Sequence, residues 1–450
     1  MEKVVALAKR RGFVYQSSEI YGGMANSWDF GPLGTLLKNN IRDFWFKRFV
    51  LGRDDMVAID ASVFLNPKVW EASGHVAGFT DSLIECKNCH TRTRADHLIE
   101  DNIKDIKVEG LPVDELDKII KENQLKCPTC GKFDWSKVRK FNLLFETNIG
   151  IVEESKSKAY LRGEIAQGIF LNFKNVLNTT RVRIPFGIAQ QGKAFRNEIT
   201  MGQFVHRTLE FDLMEFEYFI NKNDWEKTFE MWRKEMWKFA LDLGIHKENL
   251  RWREHEEFER SHYSQKTMDI EYKYPFGFKE MFGIAYRTDF DLTNHQKHSG
   301  HDLSYLDPTT GERYIPHVIE PTFGLSRLTG IVLVDAYCED KERVLLKLNP
   351  KIAPYKVAVF PLLANKEKLV KKARNIYDSL RAKYSTYWDD RGNIGKRYFY
   401  QDEIGTPFCI TVDFDTLEDD TVTVRNRDTA KQVRLKVDKL ETFLQNELGV

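Results

Sequence analysis

Phosphate chemistry is the first possibility raised by residues 195–217, FRNEITMGQFVHRTLEFDLMEFE. The stretch opens on Phe195-Arg196-Asn197-Glu198 and passes Gly202 and His206. It closes on Leu209 to Glu217, where acidic or polar side chains alternate with apolar ones. That alternation predicts two strands of an antiparallel hairpin, with Gly202 in the loop. Every second side chain of a strand faces the same way. Arg196 and Glu198 then share one face of the first strand, and Phe211, Leu213 and Glu215 share one face of the second. Arg grips a phosphate with a bidentate fork, Glu accepts from an exocyclic amine, and Phe stacks on a base. Such a mixed face suits the floor of a nucleotide site. The competing reading is a surface hairpin closed by a cross-strand Arg–Glu pair.

Cysteine supplies a second constellation. Four of the six are arranged as Cys86-x-x-Cys89 and Cys127-x-x-Cys130. Each pair has knuckle spacing, and two pairs can close a tetrahedral S₄ site, which most often holds Zn²⁺. A disulfide pair is the alternative in an oxidising compartment. A structural site of this kind has no open position for catalysis. The long gap between the pairs requires an excursion, with a helix expected at 113–123. Cys338 and Cys409 have no nearby partners and read as buried small apolar residues.

Two look-alike motifs fail on their details. Gly187 to Ala194 nearly spells a phosphate-binding loop, but Ala194 lacks the hydroxyl for Mg²⁺, and a strand rather than a helix follows at Phe195. His255-Glu256 has Glu259 where a second metal-binding His must stand, so no zinc-protease site forms.

The elements that must position these groups follow from periodicity. Residues 1–12 and 34–50 read as helices, the second with Leu37, Ile41, Phe44, Trp45 and Arg48 at helical spacing. Trp225, Phe229, Trp232, Met236, Phe239, Ala240 and Leu243 make one apolar stripe of a helix over 222–244. Residues 141–176 are expected to rejoin the main sheet and then start a helix near Glu164. At Leu348-Asn349-Pro350 the composition changes. Beyond it, strands at 354–362, 408–415 and 421–425 and a helix at 366–384 predict a separate α/β domain. Residues 351–400 hold twelve Lys or Arg against four Asp or Glu, whereas 401–450 hold six against eleven. The basic half either meets phosphate or is a solvated helix face at Lys366, Lys368, Lys371, Lys372 and Arg374.

Length and composition set the outer limits. The chain has 450 residues, is 42% hydrophobic and 30% charged, and carries a formal net charge of +1. These values suit two or three folded domains and exclude a disordered chain. No apolar run approaches the ~20 residues of a membrane helix. The N-terminus lacks a cleavage signal, so a cytoplasmic location without membrane attachment is expected.

The hairpin resembles motif 2 of the class II aminoacyl-tRNA synthetases, Phe-Arg-x-Glu, a loop and a returning strand. Glu320-Pro-Thr-Phe-Gly324-Leu-Ser-Arg327 resembles motif 3, a Gly-x-x-Arg entering an apolar helix, here Leu328 to Tyr337. Phe30 to Ile41 resembles motif 1. Tyr21-Gly22-Gly23, Phe30-Gly-Pro-Leu-Gly34, Ala166-Gln-Gly-Ile-Phe170 and Arg287-Thr-Asp-Phe-Asp-Leu292 narrow the likeness to the homodimeric glycyl type, over nearly the whole chain.

The resemblance implies an α+β fold. An antiparallel-sheet class II catalytic domain would occupy 1–347, with a zinc-knuckle insertion at 83–138. A C-terminal α/β anticodon-binding domain would occupy 348–450. It implies activation of glycine with ATP and Mg²⁺, transfer to tRNA(Gly), and a homodimer. Arg196 and Arg327 become the catalytic arginines, on the α- and γ-phosphates, with Arg327 covering the adenine opposite Phe211. Asn197, Glu198, His206, Arg207, Glu280, Met281 and Gly324 join them around ATP, Glu280 toward the metal-bound phosphates. Arg94, Glu164, Glu215, Glu320 and Thr322 are assigned to glycine, the carboxylates to its ammonium. His75 reads as a structural histidine. The chain departs from the family pattern at Gly163, Ile165, Leu209 and Thr322, where Pro, Thr, Arg and Ser are usual. Two rivals remain. Another class IIa synthetase would need a catalytic zinc for threonine or an Arg-rich pocket motif for histidine. A binding protein that has lost the reaction should lack Arg196 or Arg327.

Overall fold

The computed structural model describes residues 1–104, 106–108, 110–151, 157–199, 204–340 and 343–449. Gly202, expected in the hairpin loop, lies outside them. The central sheet contains β1 (Met56–Ile59), β2 (Phe186–Phe195), β3 (Glu210–Ile220), β4 (Leu250–Glu254), β5 (Lys266–Tyr274), β6 (Gly277–Thr288) and β7 (His317–Gly324). Their spatial order is β4-β5-β6-β7-β3-β2-β1. All neighbours are antiparallel except β1 and β2.

Five helices frame this sheet: α1 (Pro32–Phe46), α2 (Ala166–Thr179), α3 (Trp225–Asp242), α4 (Phe290–Ser299) and α5 (Leu325–Ala336). In α1, Pro32 occupies the first turn, where no backbone N–H is needed, and Leu33, Leu37, Ile41 and Trp45 form the buried stripe. Alternation along β3 divides the two faces. Met214, Phe216, Tyr218 and Ile220 enter the main core with Trp45, Phe49, Trp232, Phe239 and Phe323. Phe216 and Trp232 meet with ring centroids 4.6 Å apart. On the other face, α2 buries Phe170 and Phe173 against Phe186 and Phe219. That second cluster seals one end of the face and leaves Glu215 and Glu320 beside a cleft.

A bulge decides which side chains of β6 reach that cleft. Ile270 pairs with Phe282, but Glu271 pairs with Glu280, so Met281 is an extra residue. Met281 and Phe282 both enter the main core, while Glu280, Gly283 and Ala285 line the cleft. An unpaired residue in one strand shifts the alternation by one, which is what allows Glu280 and Gly283 to share a face.

The cysteine-bearing insertion has its own sheet, built from Thr80–Glu85, Arg92–Arg94 and Arg139–Asn142. Helices at Ala95–Asn102 and Val113–Glu122 pack on it through Leu98, Ile99, Leu116 and Ile120. The segment after 138 therefore closes the insertion's sheet rather than rejoining the central one, as expected for 141–145. Strand propensity identifies a strand but not its partner. Residues Glu146–Ile149 and Ser157–Tyr160 form a separate two-stranded ribbon before α2.

A second sheet follows, with strands at Val357–Pro361, Thr386–Trp388, Phe408–Val412, Thr421–Asn426 and Gln432–Lys436. Its core is separate and begins at Val357. Leu348, Ile352 and Ala353 still pack into the first core, so the physical break falls several residues after the compositional one. On the helix Glu367–Arg381, Arg374 stacks 3.6 Å over Trp388 and Lys372 pairs with Asp420. Among the described residues no helix is long and apolar enough to cross a membrane.

Candidate active site

β2 ends at Phe195, so Arg196 and Glu198 lie just beyond the strand rather than on its face. One further backbone bond, from Arg196 N–H to the Leu209 carbonyl at 2.9 Å, holds the segment in line with its partner. Arg196 Nε donates to the Gly163 carbonyl at 2.9 Å. Its guanidinium lies 5.1 Å from the ring of Phe79 and 5.4 Å from that of Phe211, within cation–π range.

Arg327 enters from the first turn of α5. It bonds to the Glu280 carboxylate at 2.8 Å, to the Glu280 carbonyl at 3.3 Å and to the His206 carbonyl at 3.3 Å. One guanidinium thus ties α5, β6 and the loop before β3 together. Both arginines line a single cleft, with Glu198, His206, Arg207, Phe211, Glu280 and Gly324 around them. His206 Nδ1 meets the Tyr274 hydroxyl at 3.0 Å. Burial and the nearby charges of Arg327 and Arg207 push the His206 imidazole down to about 2, so the ring is neutral. Partial burial raises the Glu280 carboxyl, but Arg327 and Arg207 outweigh it and hold it low. The Glu280 side chain is 47% exposed, so water screens this pair and it acts as a tether more than as a source of stability.

Beyond Arg196 the cleft deepens onto Glu164, Glu215, Glu320 and Thr322. The three carboxylates are almost wholly buried, and each is placed differently. Glu164 precedes α2 and accepts from Gln167 at 2.8 Å. Its other oxygen lies 3.2 Å from His75 Nε2, while His75 Nδ1 meets the Ser73 hydroxyl at 2.8 Å. Burial would raise Glu164, but His75 and Arg287 hold it far below the ordinary carboxylate range. Glu320, on β7, accepts from Arg287 at 3.0 Å. Glu215 has one buried oxygen without a hydrogen bond. Burial, then the charges of Glu320 and Glu164, push its carboxyl up. An acidic, dehydrated pocket with one acceptor left open suits a small ammonium group.

The cleft therefore gathers most of the residues singled out by sequence. Three stand apart. Asn197 turns its backbone N–H to the Leu143 carbonyl at 2.9 Å and does not line the cleft. Met281 is the bulged residue and packs in the core. Arg94 pairs with Asp81 at 3.2 Å and with Asp96, and lines an adjoining cavity that shares Glu164, Arg196, Ser261 and Tyr263 with the first.

Sequence reasoning missed the supports. Arg287 is fully buried and also bonds to Asp291 at 2.8 and 2.9 Å. The ring of Tyr263 lies 3.7 Å from its guanidinium and faces both cavities. The i,i+4 spacing of Arg287 and Asp291 was the available signal.

The four cysteines converge away from the cleft. Cys86 and Cys130 Sγ are 3.6 Å apart, as are Cys89 and Cys127. All four sulfurs fall within 4.8 Å of one another, and none is in a disulfide. Zinc–sulfur bonds of about 2.3 Å in a tetrahedron set edges of roughly 3.8 Å, so the donor set and spacing fit Zn²⁺.

Comparison with known proteins agrees in both parts of the chain. Residues 356–447 match the family model described as "Anticodon binding domain". A protein of Clostridium acetobutylicum named glycine–tRNA ligase is 50% identical across 100% of this chain and 98% of its own length. Its namesakes from Caldanaerobacter subterraneus subsp. tengcongensis and Acetivibrio thermocellus are 51% and 52% identical, over 100% and 99% of this chain and 98% of each relative.

Proposed function

This chain belongs to the family of glycine–tRNA ligases, and from that premise we propose which of its groups perform the reaction. It activates glycine with ATP, releasing pyrophosphate, and transfers the glycyl group to the 3′ end of tRNA(Gly). In the first step a glycine carboxylate oxygen attacks the α-phosphorus, and the bond to the pyrophosphate oxygen breaks. In the second, the terminal ribose hydroxyl attacks the glycyl carbonyl and AMP leaves. Such chemistry depends on alignment and charge neutralisation more than on side-chain proton transfer.

The observation that supports the assignment is the single cleft shared by Arg196, Arg327 and three buried carboxylates. Arg196 neutralises charge on the α-phosphate. Arg327 holds the γ-phosphate and covers the adenine opposite Phe211. Glu198 accepts from the adenine amine, while His206 and Arg207 contact phosphate oxygens. Glu280 faces the magnesium side of MgATP, which arrives as substrate. Glu164, Glu215 and Glu320 receive the ammonium, with Thr322 beside them. Glycine has five heavy atoms, and at a ceiling of roughly 1.5 kcal/mol per atom its ammonium must be held well. Larger amino acids are refused by collision, and no smaller one exists to be edited. The adjoining cavity, with Arg94 on its wall, offers a route for the tRNA end.

The α+β fold with its antiparallel central sheet and C-terminal anticodon-binding domain supports a class II catalytic domain over 1–347. Within it the insertion at 83–138 carries structural Zn²⁺ on Cys86, Cys89, Cys127 and Cys130. The cytoplasm keeps those thiols reduced. The working unit is a homodimer. We assign its apolar contact to Ile20 and Tyr21, 89% and 87% exposed in the turn Glu19–Tyr21.

Pyrophosphate exchange measured with each amino acid tests the site. Glycine alone should support exchange, and Arg196→Ala should abolish it. Exchange supported by another amino acid, or full activity of Arg196→Ala, overturns the assignment.

A further inference from the structure

β3 carries a second buried carboxyl, Glu217, two residues beyond Glu215 on the same face. It is fully buried and absent from the cleft wall, and neither of its oxygens has a hydrogen-bond partner. The register of β3 with β7 places it opposite Glu320. Oxygens of Glu215, Glu217 and Glu320 lie within 4.8 Å of one another. The neighbouring elements offer little relief. Arg287, from β6, directs its bonds to Asp291 on α4 and to Glu320. Gln167, from α2, is occupied by Glu164, Asp291 and His295. Gln190, from β2, stands across from Glu215 with its own amide unpaired.

Three ionised carboxylates only accept, so they cannot bond to one another. A single proton converts one of them into a donor. Glu320 already holds Arg287, and Glu215 faces the cleft. Among the described residues Glu217 has no ion-pair partner, and it has no exposure to the cleft, so the proton resides there. We propose that Glu217 is a neutral carboxylic acid in the working enzyme, a positioning residue. It donates its one hydrogen bond into the Glu215–Glu320 pair and leaves no third negative charge beside them, so both carboxylates stay placed to meet the glycine ammonium. Burial, with the charges of Glu320, Glu215 and Asp291, favours this protonated form, and Arg287 opposes it without prevailing. Glu217 then governs glycine affinity without touching glycine.

This inference rests on the assignment of the cleft to glycine, and its test separates the two. Full-length Glu217→Gln and Glu217→Leu are compared with the parent in glycine-dependent pyrophosphate exchange. The glutamine amide keeps a donor and carries no charge, so KM for glycine should stay within about threefold of the parent. Leucine removes the donor, so KM for glycine should rise at least about tenfold while KM for ATP moves less than about twofold. Difference infrared spectra should show the carbonyl stretch of a buried protonated carboxyl that Glu217→Gln lacks, whether or not the leucine variant folds. If the glutamine variant loses about tenfold or more in KM for glycine, Glu217 is an ionised ligand and the proposal fails. A parent-like leucine variant or a missing infrared band also overturns it. A parent that exchanges pyrophosphate only with another amino acid contradicts the glycine assignment instead, and the infrared band still reports on Glu217.

Discussion

Arg196 and Arg327 are held from different sides of the cleft, one by the Gly163 carbonyl and the other by Glu280 and the His206 carbonyl. On the proposed assignment each is held in place before a phosphate arrives, which is the form of electrostatic help that lowers a barrier most. Arg327→Ala should therefore slow exchange by about 10²–10³-fold, and Arg327→Lys should recover little, because an ammonium lacks the planar fork. Exchange within about threefold of the parent in the alanine variant would contradict the role. His206 carries a pH prediction. Its folded value lies near 2, far below that of the unfolded chain. As pH falls below about 6.5, the unfolded chain takes up a proton that the folded site refuses, so stability is lost from there downward. Calorimetry should show His206→Gln losing less Tm than the parent between about pH 7 and pH 5, and equal losses would rule this out. Residue types made Arg196, Glu198 and Arg327 legible in sequence. Glu217 was not, because its meaning lies in cross-strand neighbours that spacing does not reveal, and Arg287 stood in a recognised motif without a role although its spacing to Asp291 signalled one.

Elements were legible where their signal is local. The two Cys-x-x-Cys pairs and the helix at 113–122 form as expected, since turn spacing and an apolar stripe need no distant information. The strand after 138 was assigned to the wrong sheet, and the Met281 bulge was invisible, because both depend on the partner strand. Cys86→Ser should lower zinc from one ion per chain toward none. It should also raise hydrogen exchange across residues 80–142 while β2 and β3 stay protected. A metal-free parent with the same protection would refute the zinc site. Gly34 makes the packing of α1 equally specific, since a Cβ there would lie 1.9 Å from the Phe13 carbonyl oxygen. Gly34→Ala should cost about 1–3 kcal/mol or more by overpacking, read as a lower Tm. An unchanged Tm would contradict this packing.

At the scale of the whole molecule, two cores meet through a short, well-bonded junction. Asn40 on α1 donates to the Ile352 and Ala353 carbonyls at 3.1 and 2.9 Å, and Arg427 donates to the Leu348 carbonyl at 2.9 Å. Leu348, Ile352 and Ala353 pack on the first core, a contact that the composition change at 348 does not show. Assembly is testable at the same scale. Ile20→Asp with Tyr21→Asp should weaken the dimer at least about a hundredfold in sedimentation, as loss of an apolar hot spot does. An undiminished dimer would move the interface elsewhere. A structure of the chain with a non-hydrolysable glycyl-adenylate analogue tests the proposed site most directly. The ammonium should lie among Glu164, Glu215 and Glu320, the phosphate against Arg196, and the adenine between Phe211 and Arg327. An analogue bound outside this cleft, or with its ammonium turned away from those carboxylates, would contradict it.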